Sequence, residues 1–250
     1  MILTRVALAV AVVAAVLALR RTGTSTVEEE YADAASSFDV RWSEYINVTV
    51  DAMLTRLGPQ LDALPCAAAS CKLLDVGCGT GALAHQIARR HPRWDIVCSD
   101  LSAEMLRGAA AKGLAVVRAR SEALPFDAGA FDVVTSLSSF HFWDEPSRGL
   151  RELHRVLRPE GVLLISDWSH DFLSCKICGL YLWAAGFPSN DWNILSSARM
   201  RDLLAADFSV AEESVYQIPL RPFGMRACPR WGMMSFSATR AERGAPSTPA

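Results

Sequence analysis

Asp75 ends an apolar run and opens a glycine-alternating turn, Leu73-Leu74-Asp75-Val76-Gly77-Cys78-Gly79-Thr80-Gly81, which leads into helix-forming sequence from Ala82 to Arg90. Glycines at alternate positions let the backbone turn with positive φ and let a ligand lie against bare main chain. A helix that starts directly after such a turn offers unpaired N–H groups and a partial positive charge. The chemistry this suits is the binding of a nucleotide-like ligand. Gly77-x-Gly79-x-x-Ala82 also satisfies the relaxed dinucleotide fingerprint, so the turn alone leaves the adenosine-containing ligand open.

A second acid stands in Asp95-Ile96-Val97-Cys98-Ser99-Asp100-Leu101-Ser102, a short apolar strand followed by Ser102 as the N-cap of a helix over Ala103–Lys112. A carboxylate at the tip of the second strand can accept hydrogen bonds from both ribose hydroxyls of an adenosine. A third candidate is His141, in Ser138-Ser139-Phe140-His141-Phe142-Trp143. It falls just past the end of the fourth predicted strand, where open α/β sheets place their ligands. An imidazole suits a general base for a phenol, a thiol or an acidic carbon; the alternative is that His141 caps the loop or packs on Trp143. His85, His91 and His154 fall on helices or their ends, where solvated or packing roles are expected.

Positioning these residues takes a series of strands, near 72–77, 94–99, 114–118, 131–137 and 161–167, each followed by helical or loop sequence. The helix around Pro146–Leu157 carries Leu150, Leu153, Val156 and Leu157 on one face, the periodicity of a helix packed on a sheet. A helix near Ser197–Ala206 and strand-like runs at Ser209–Ile218 and Trp231–Thr239 follow. The predicted class is α/β.

The ordered set of motifs (LDVGCGTG, the acid of CSDLS, EALPF, FDVV and RELHRVLRPEG) resembles the class I S-adenosylmethionine-dependent methyltransferases, in the branch acting mainly on small molecules. The resemblance covers residues 70 to 170 closely. It implies a Rossmann-like, seven-stranded, mostly parallel sheet with helices on both faces and the last strand antiparallel. It also implies S-adenosyl-L-methionine as cofactor. Carried over residue by residue, Gly77, Gly79 and Gly81 would line the methionine and ribose portion and Asp75 would hold the methionine ammonium, directly or through water. Asp100 would take the ribose hydroxyls, Leu101 and Met105 would flank the adenine, and Ser121 and Glu122 would lie beside the ring. Tyr45, on the helix leading into the domain, could close over the methyl donor. Two positions depart from the family. Arg120 stands where an acid usually faces the adenine amino group and cannot accept a hydrogen bond; either it points into solvent and the Ser121 N–H reads the ring, or the register is shifted. Glu160 replaces the first glycine of R-x-L-x-P-G-G, a change expected to have structural consequences only.

A chain of 250 residues with 51% hydrophobic content fits one catalytic domain with extensions. The expected layout is a leader or anchor over residues 1–27, a methyltransferase domain over 28–240 with a cap insertion about 168–196, and a disordered tail over 241–250. A net charge of −2 with no dense Lys/Arg stripe argues against nucleic acid as partner, leaving a small-molecule acceptor. Aromatic residues after the fifth strand (Trp168, Phe172, Tyr181, Trp183, Phe187, Trp192) suggest a flat or lipophilic acceptor, with packing of the cap on its own domain as the alternative. A non-catalytic scaffold and a nicotinamide-dependent oxidoreductase are the other classes, the second disfavoured by the LPF and RPxG motifs. Oligomeric state and the acceptor atom are not specified by the sequence.

Val6 to Leu19 is wholly apolar and flanked by Arg5 and Arg20-Arg21. As a helix it is about 21 Å long, short of the ~30 Å hydrocarbon core; Ile2 and Leu3 extend it, with Arg5 snorkelling. A signal anchor, a cleaved secretory signal and an organellar transit peptide compete. The arginines directly after the run speak against cleavage, and a cytosolic cofactor against secretion. Membrane association through a transmembrane helix in residues 2–21, with the domain in a reducing compartment, is the expectation, an organellar location the alternative. Among the seven cysteines, Cys78 and Cys98 read as buried thiols. Cys175-Lys176-Ile177-Cys178 has metal-ligand spacing, but no second pair or histidine cluster completes four ligands, so no metal is expected. A redox or arsenic-binding use of Cys71 with that pair is a further reading, and packing the plainer one.

Overall fold

The sheet takes the order β3-β2-β1-β4-β5-β7-β6, with β7 antiparallel to both of its neighbours and every other pairing parallel. The structure is a computed structural model that describes residue 35 and residues 37–173, 175–176, 194–219 and 230–241. In chain order the elements are α1 (Ser43–Asp62), β1 (Lys72–Val76), α2 (Ala82–Arg90), β2 (Asp95–Asp100), α3 (Ala103–Ala111), β3 (Ala115–Arg118), β4 (Phe131–Leu137), a 3-10 turn (Phe140–Phe142), α4 (Pro146–Val156), β5 (Leu157–Trp168), α5 (Ser197–Leu204), β6 (Phe208–Ile218) and β7 (Trp231–Arg240). The predicted strands and helices are all present, and the fold class is as the resemblance implies.

Alternation along the central strands divides the core in two. Leu74, Val134, Leu163 and Phe236 join Leu150, Leu153 and Val156 of α4 and Met200 and Leu204 of α5 on one side. Leu73, Val133 and Leu164 join Met53 and Leu57 of α1 and Leu83 and Ile87 of α2 on the other. A strand covered on both faces must be apolar at consecutive positions, which is why Leu73 and Leu74 are both fully buried. Each such leucine contributes about 1.5–3 kcal/mol through burial. Helix starts follow local rules: Ser102 Oγ accepts from Met105 N–H at the head of α3, and Pro146 opens α4, where its missing N–H costs no helical bond.

Residues 2–21, the tail beyond 241 and most of the cap insertion lie outside the described residues, as do Tyr181, Trp183, Phe187, Trp192 and Cys178. Among the described residues no helix is long and apolar enough to cross a membrane. Cys66 and Cys71 form a disulfide, a pairing the sequence reading did not anticipate. It rules out Cys71 as a partner of Cys175. Cys71 precedes the start of β1, whereas Cys175 sits by Gly232 of β7, three strands away in the sheet, its Sγ 3.3 Å from the Gly232 nitrogen.

The altered turn before β5 shows what the missing glycine does. Strand β5 begins at Leu157, earlier than expected, and runs through Arg158-Pro159-Glu160-Gly161 with an irregular register against β4 between Phe131 and Val133. Glu160 is held at φ 61°, the left-handed region that a side chain makes unfavourable. Gly161 is retained for space, since a Cβ there would lie 2.8 Å from the Arg158 carbonyl oxygen. Glu160→Gly removes the strain and gives back part of the gain as unfolded-chain entropy. Chemical denaturation of this variant is expected to show a stability increase of about 0.5–1 kcal/mol.

Candidate functional site

The loop between β1 and α2 carries three consecutive positive φ values at alternate positions: 67° at Gly77, 55° at Gly79 and 77° at Gly81, the last capping α2. The glycines are required for different reasons. A Cβ at Gly77 would fall 2.1 Å from Ser139 Oγ, because the loop after β1 presses against the loop after β4. A Cβ at Gly81 would lie 2.6 Å from Leu114. At Gly79 a Cβ would meet nothing within 4 Å, so this glycine faces open space and presents bare backbone to it.

Asp100, at the tip of β2, is fastened to that loop: its Oδ2 accepts from Gly79 N–H at 2.8 Å and its Oδ1 from Ser102 N–H at 2.9 Å. Each oxygen keeps a further lone pair. Burial pushes the Asp100 carboxyl up, against the lowering effect of these bonds. Asp75 lies below the loop, 1% exposed, and accepts from Thr135 Oγ1–H at 2.7 Å. Burial first, and the charge of Asp100 second, push Asp75 up to about 7, with the Thr135 and Ala84 bonds opposing. Met105 is buried in α3, and Leu101 is half-buried with its carbonyl accepting from Arg118.

The structure brings the glycines, Asp75 and Asp100 together at the C-terminal ends of β1 and β2. Glu122 has partners within the protein. Its Oε2 accepts from Ser121 Oγ–H at 3.0 Å and its Oε1 from Glu145 N–H at 3.2 Å, so its carboxylate ties the 121–122 turn to the head of α4. Arg120 is exposed and paired with Asp144, so its side chain points into solvent.

His141 lies in the 3-10 turn after β4, buried at 1% exposure. Its Nδ1 is 2.6 Å from Asp167 Oδ1, and its ring stacks on Trp168 with centroids 4.4 Å apart at 21°. Trp143 is not its stacking partner; that indole packs on Phe140 and donates to Ser139 Oγ. The sequence reading gave no role to Asp167 or Ser138. Asp167 carried the same signature as Asp75 and Asp100, an acid at the end of an apolar strand. Ser138 adopts φ 52° and accepts from the Tyr45 hydroxyl at 2.6 Å, while Tyr45 oxygen accepts from Trp168 Nε1–H at 2.6 Å. Tyr45 of α1 thus joins the ends of β4 and β5, and its burial raises its pKa well above the ordinary tyrosine value. Nearby, Asp39 accepts from Thr80 Oγ1–H and from Lys112 Nζ, bringing the segment before α1 onto the glycine loop.

The family profile described as "Methyltransferase domain" matches residues 74–165, the span from β1 into β5 that carries the glycine loop, Asp75, Asp100 and His141. The chain carries a class I methyltransferase domain. It is similar to the malonyl-[acyl-carrier protein] O-methyltransferase of Herminiimonas arsenicoxydans, 43% identical over 111 residues that make up 44% of this chain and 41% of that one. It is also similar to the demethylmenaquinone methyltransferase of Thermus thermophilus, 39% identical over 103 residues, 39% of this chain and 47% of that one. The chain therefore spans less than half of these two relatives. A solved SAM-dependent methyltransferase from Thermotoga maritima shares the fold, with a TM-score of 0.66 at 18% identity over 84% of this chain and 98% of that one.

The methyl donor of this family is S-adenosylmethionine, and the methyltransferase domain's geometry fits it. Gly79 leaves a space that a Cβ would enter, and Asp100 has lone pairs to spare beside it. Two substitutions separate folding from binding here. Gly77→Ala combines a clash with positive φ and is expected to cost about 3–5 kcal/mol in chemical denaturation. Gly79→Ala carries only the backbone penalty, about 1–2 kcal/mol, yet is expected to weaken S-adenosylmethionine binding by at least tenfold in calorimetry.

Proposed function

We propose that the protein transfers a methyl group from S-adenosylmethionine to a small, lipophilic or aromatic acceptor. The observation that carries this reading is the join between the glycine loop and Asp100, with Gly79 open to a ligand. In it, Gly77, Gly79 and Gly81 bed the methionine and ribose portion, Asp75 holds the ammonium, and Asp100 takes the ribose hydroxyls. Leu101, Met105 and the Ser121–Glu122 turn flank the adenine. When bound, the cofactor supplies a methyl group already activated as part of a sulfonium. The protein's part is then alignment, worth about 7–11 kcal/mol in favourable cases, and removal of the acceptor's proton by His141.

Trp168, Tyr45 and Phe172, which packs against Gly232, support an acceptor with flat, apolar surface. The names of the relatives suggest two probes, a demethylmenaquinol-type quinol and malonyl-acyl carrier protein. The apolar stretch over residues 2–21 supports membrane association, which would bring the enzyme to a lipophilic acceptor.

Calorimetric titration of the full chain with S-adenosylmethionine, S-adenosylhomocysteine and NAD tests the reading. Micromolar binding of the first two and none of NAD is expected. Binding of NAD alone would make the protein an oxidoreductase, and binding without turnover on any acceptor would make it a scaffold. Asp75 gives the titration a pH signature. With its pKa near 7 the free carboxyl is protonated at mildly acid pH, and a cationic ammonium beside it expels that proton. Affinity is expected to rise between about pH 5.5 and 7.5 with release of a proton, read as a dependence of the heat on the buffer, and Asp75→Asn is expected to flatten it. His141→Ala should leave donor affinity within a few-fold while turnover falls by ~10²–10⁴.

A further inference from the structure

We propose that Asp167 and His141 act as one unit, Asp167 being the positioning residue that keeps the ring proton on Nδ1, and that the acceptor accordingly arrives as a weakly acidic O–H or S–H group and not as a carboxylate. This rests on the methyltransferase reading of the site and names its acceptor class.

The pair is built with care. His141 Nδ1 and Asp167 Oδ1 are 2.6 Å apart, in side chains 1% and 2% exposed. The carboxylate is itself fixed: Oδ2 accepts from Phe140 N–H at 2.8 Å and Oδ1 from Trp168 N–H at 2.6 Å. It therefore holds both the turn that carries the histidine and the end of its own strand. Trp168 stacks on one face of the imidazole and sets the plane of the ring. A carboxylate only accepts hydrogen bonds, so the proton sits on Nδ1 and the lone pair on Nε2. Apolar side chains of similar volume would fill this space without the cost of burying a polar pair. The pair is explained by proton transfer.

As the acceptor's heteroatom forms its bond to the methyl carbon, the methyl–sulfur bond breaks with its electron pair leaving on the sulfur of S-adenosylhomocysteine, and the acceptor's O–H or S–H bond breaks. The proton passes to His141 Nε2, and the imidazolium rests against Asp167 until solvent removes the proton. An acceptor carboxylate has no proton to give. Asp75 and Asp167, both buried, and the half-buried Asp100, at the C-terminal ends of three strands, also oppose an incoming anion. The titratable groups facing the pair among the described residues are Tyr45 from α1, which feels the charge of Asp167, and Tyr216 from β6, which reaches β5 through Ser166 and lies under Arg56. Tyr45 keeps its proton through burial and the neighbouring charge of Asp167, against the lowering effect of its bonds to Ser138 and Trp168, which leaves His141 as the proton acceptor.

The test uses the full chain with its histidines labelled with nitrogen-15, His141 being assigned from the His141→Gln spectrum. In the wild type, His141 is expected as the Nδ1-protonated tautomer, with and without S-adenosylhomocysteine. In Asp167→Asn the amide can donate to Nδ1, and the proton is expected on Nε2. With a naphthoquinol bearing a short isoprenoid tail, methyl transfer by Asp167→Asn is expected to fall about 100-fold at every pH from about 6 to 9. Affinity for S-adenosylmethionine stays within threefold, and Asp167→Glu recovers at least a tenth of the rate. Malonyl-acyl carrier protein is expected to gain no methyl group. An Nε2-protonated His141 in the wild type, a rate in Asp167→Asn within a few-fold of the wild type across that pH range, or methylation of the malonyl carboxylate would each overturn the proposal. Should Asp167→Asn not fold, the wild-type tautomer and the two acceptors decide alone. Absence of S-adenosylmethionine binding would instead bring down the methyltransferase reading, with the tautomer still deciding the pairing.

Discussion

The site depends on one close approach, that of Gly77 to Ser139. The sheet order reverses between β1 and β4, so the chains leaving these neighbouring strands turn to opposite sides and open a crevice between them. For the crevice to be narrow, the two departing loops must touch, and at the point of contact there is room for a hydroxymethyl on one side and only a hydrogen on the other. Ser139 then does more than fill the space. Its Oγ lies within hydrogen-bonding distance of the Val76 carbonyl oxygen, Ser136 Oγ and the Trp143 indole, so the loop after β4 is pinned to the end of β1 and to the turn leading into α4. The glycine loop, the 3-10 turn and the head of α4 are positioned by the same few atoms.

Around that contact the protein gathers three acids, two buried and one half-buried, and satisfies them with N–H and O–H donors in place of cations. Asp75 uses Thr135, Asp100 uses Gly79 and Ser102, and Asp167 uses Phe140, Trp168 and His141. A carboxylate neutralised by arginine would have its charge spent within the protein. One held by neutral donors keeps its field and pays for burial with a raised pKa, as Asp75 and Asp100 do. The outcome is an edge prepared for positive charge. The nearby cations are directed elsewhere, Lys112 to Asp39 and Arg120 to Asp144.

How much of this was legible in the sequence follows from the distance over which each feature is encoded. The β1–α2 turn, the acid at the tip of β2 and the cap of α3 are local: types and spacing within ten residues determine them, and strands and helices emerged as expected. Glu160 was recognisable as a substitution in a turn, but its left-handed φ and the early start of β5 come from pairing with β4, which local sequence does not describe. The features that were missed join distant residues. Asp167 meets His141 across 26 positions and Tyr45 meets Ser138 across 93. For His141 the alternative to a base was capping of the loop or packing on Trp143, two residues on in the chain, whereas the ring that stacks on it arrives from β5. Glu122 was grouped with the adenine by motif order; its carboxylate also ties that turn to the head of α4, a contact that only the packing of that helix reveals.

The long-range contacts also connect parts of the site that motifs treat as separate. Tyr45 receives the Trp168 indole hydrogen and gives its own to Ser138, so α1 is attached at once to the ring that stacks on His141 and to a strained residue beside the glycine loop. Ser138 retains φ 52° because its N–H is held by Ser166 and its hydroxyl by Tyr45. If α1 swung away, Ser138 would lose one of the two bonds that oppose its strain, and Trp168 would lose the partner that fixes its indole. The helix covering the sheet edge and the groups beneath it are therefore ordered together. Asp39 extends the same arrangement to the other end of the crevice, where it reaches Thr80 and Lys112. A segment before β1 that carries none of the family motifs thus contacts the site at both ends, which is why the motifs alone describe the floor of this site and not its roof.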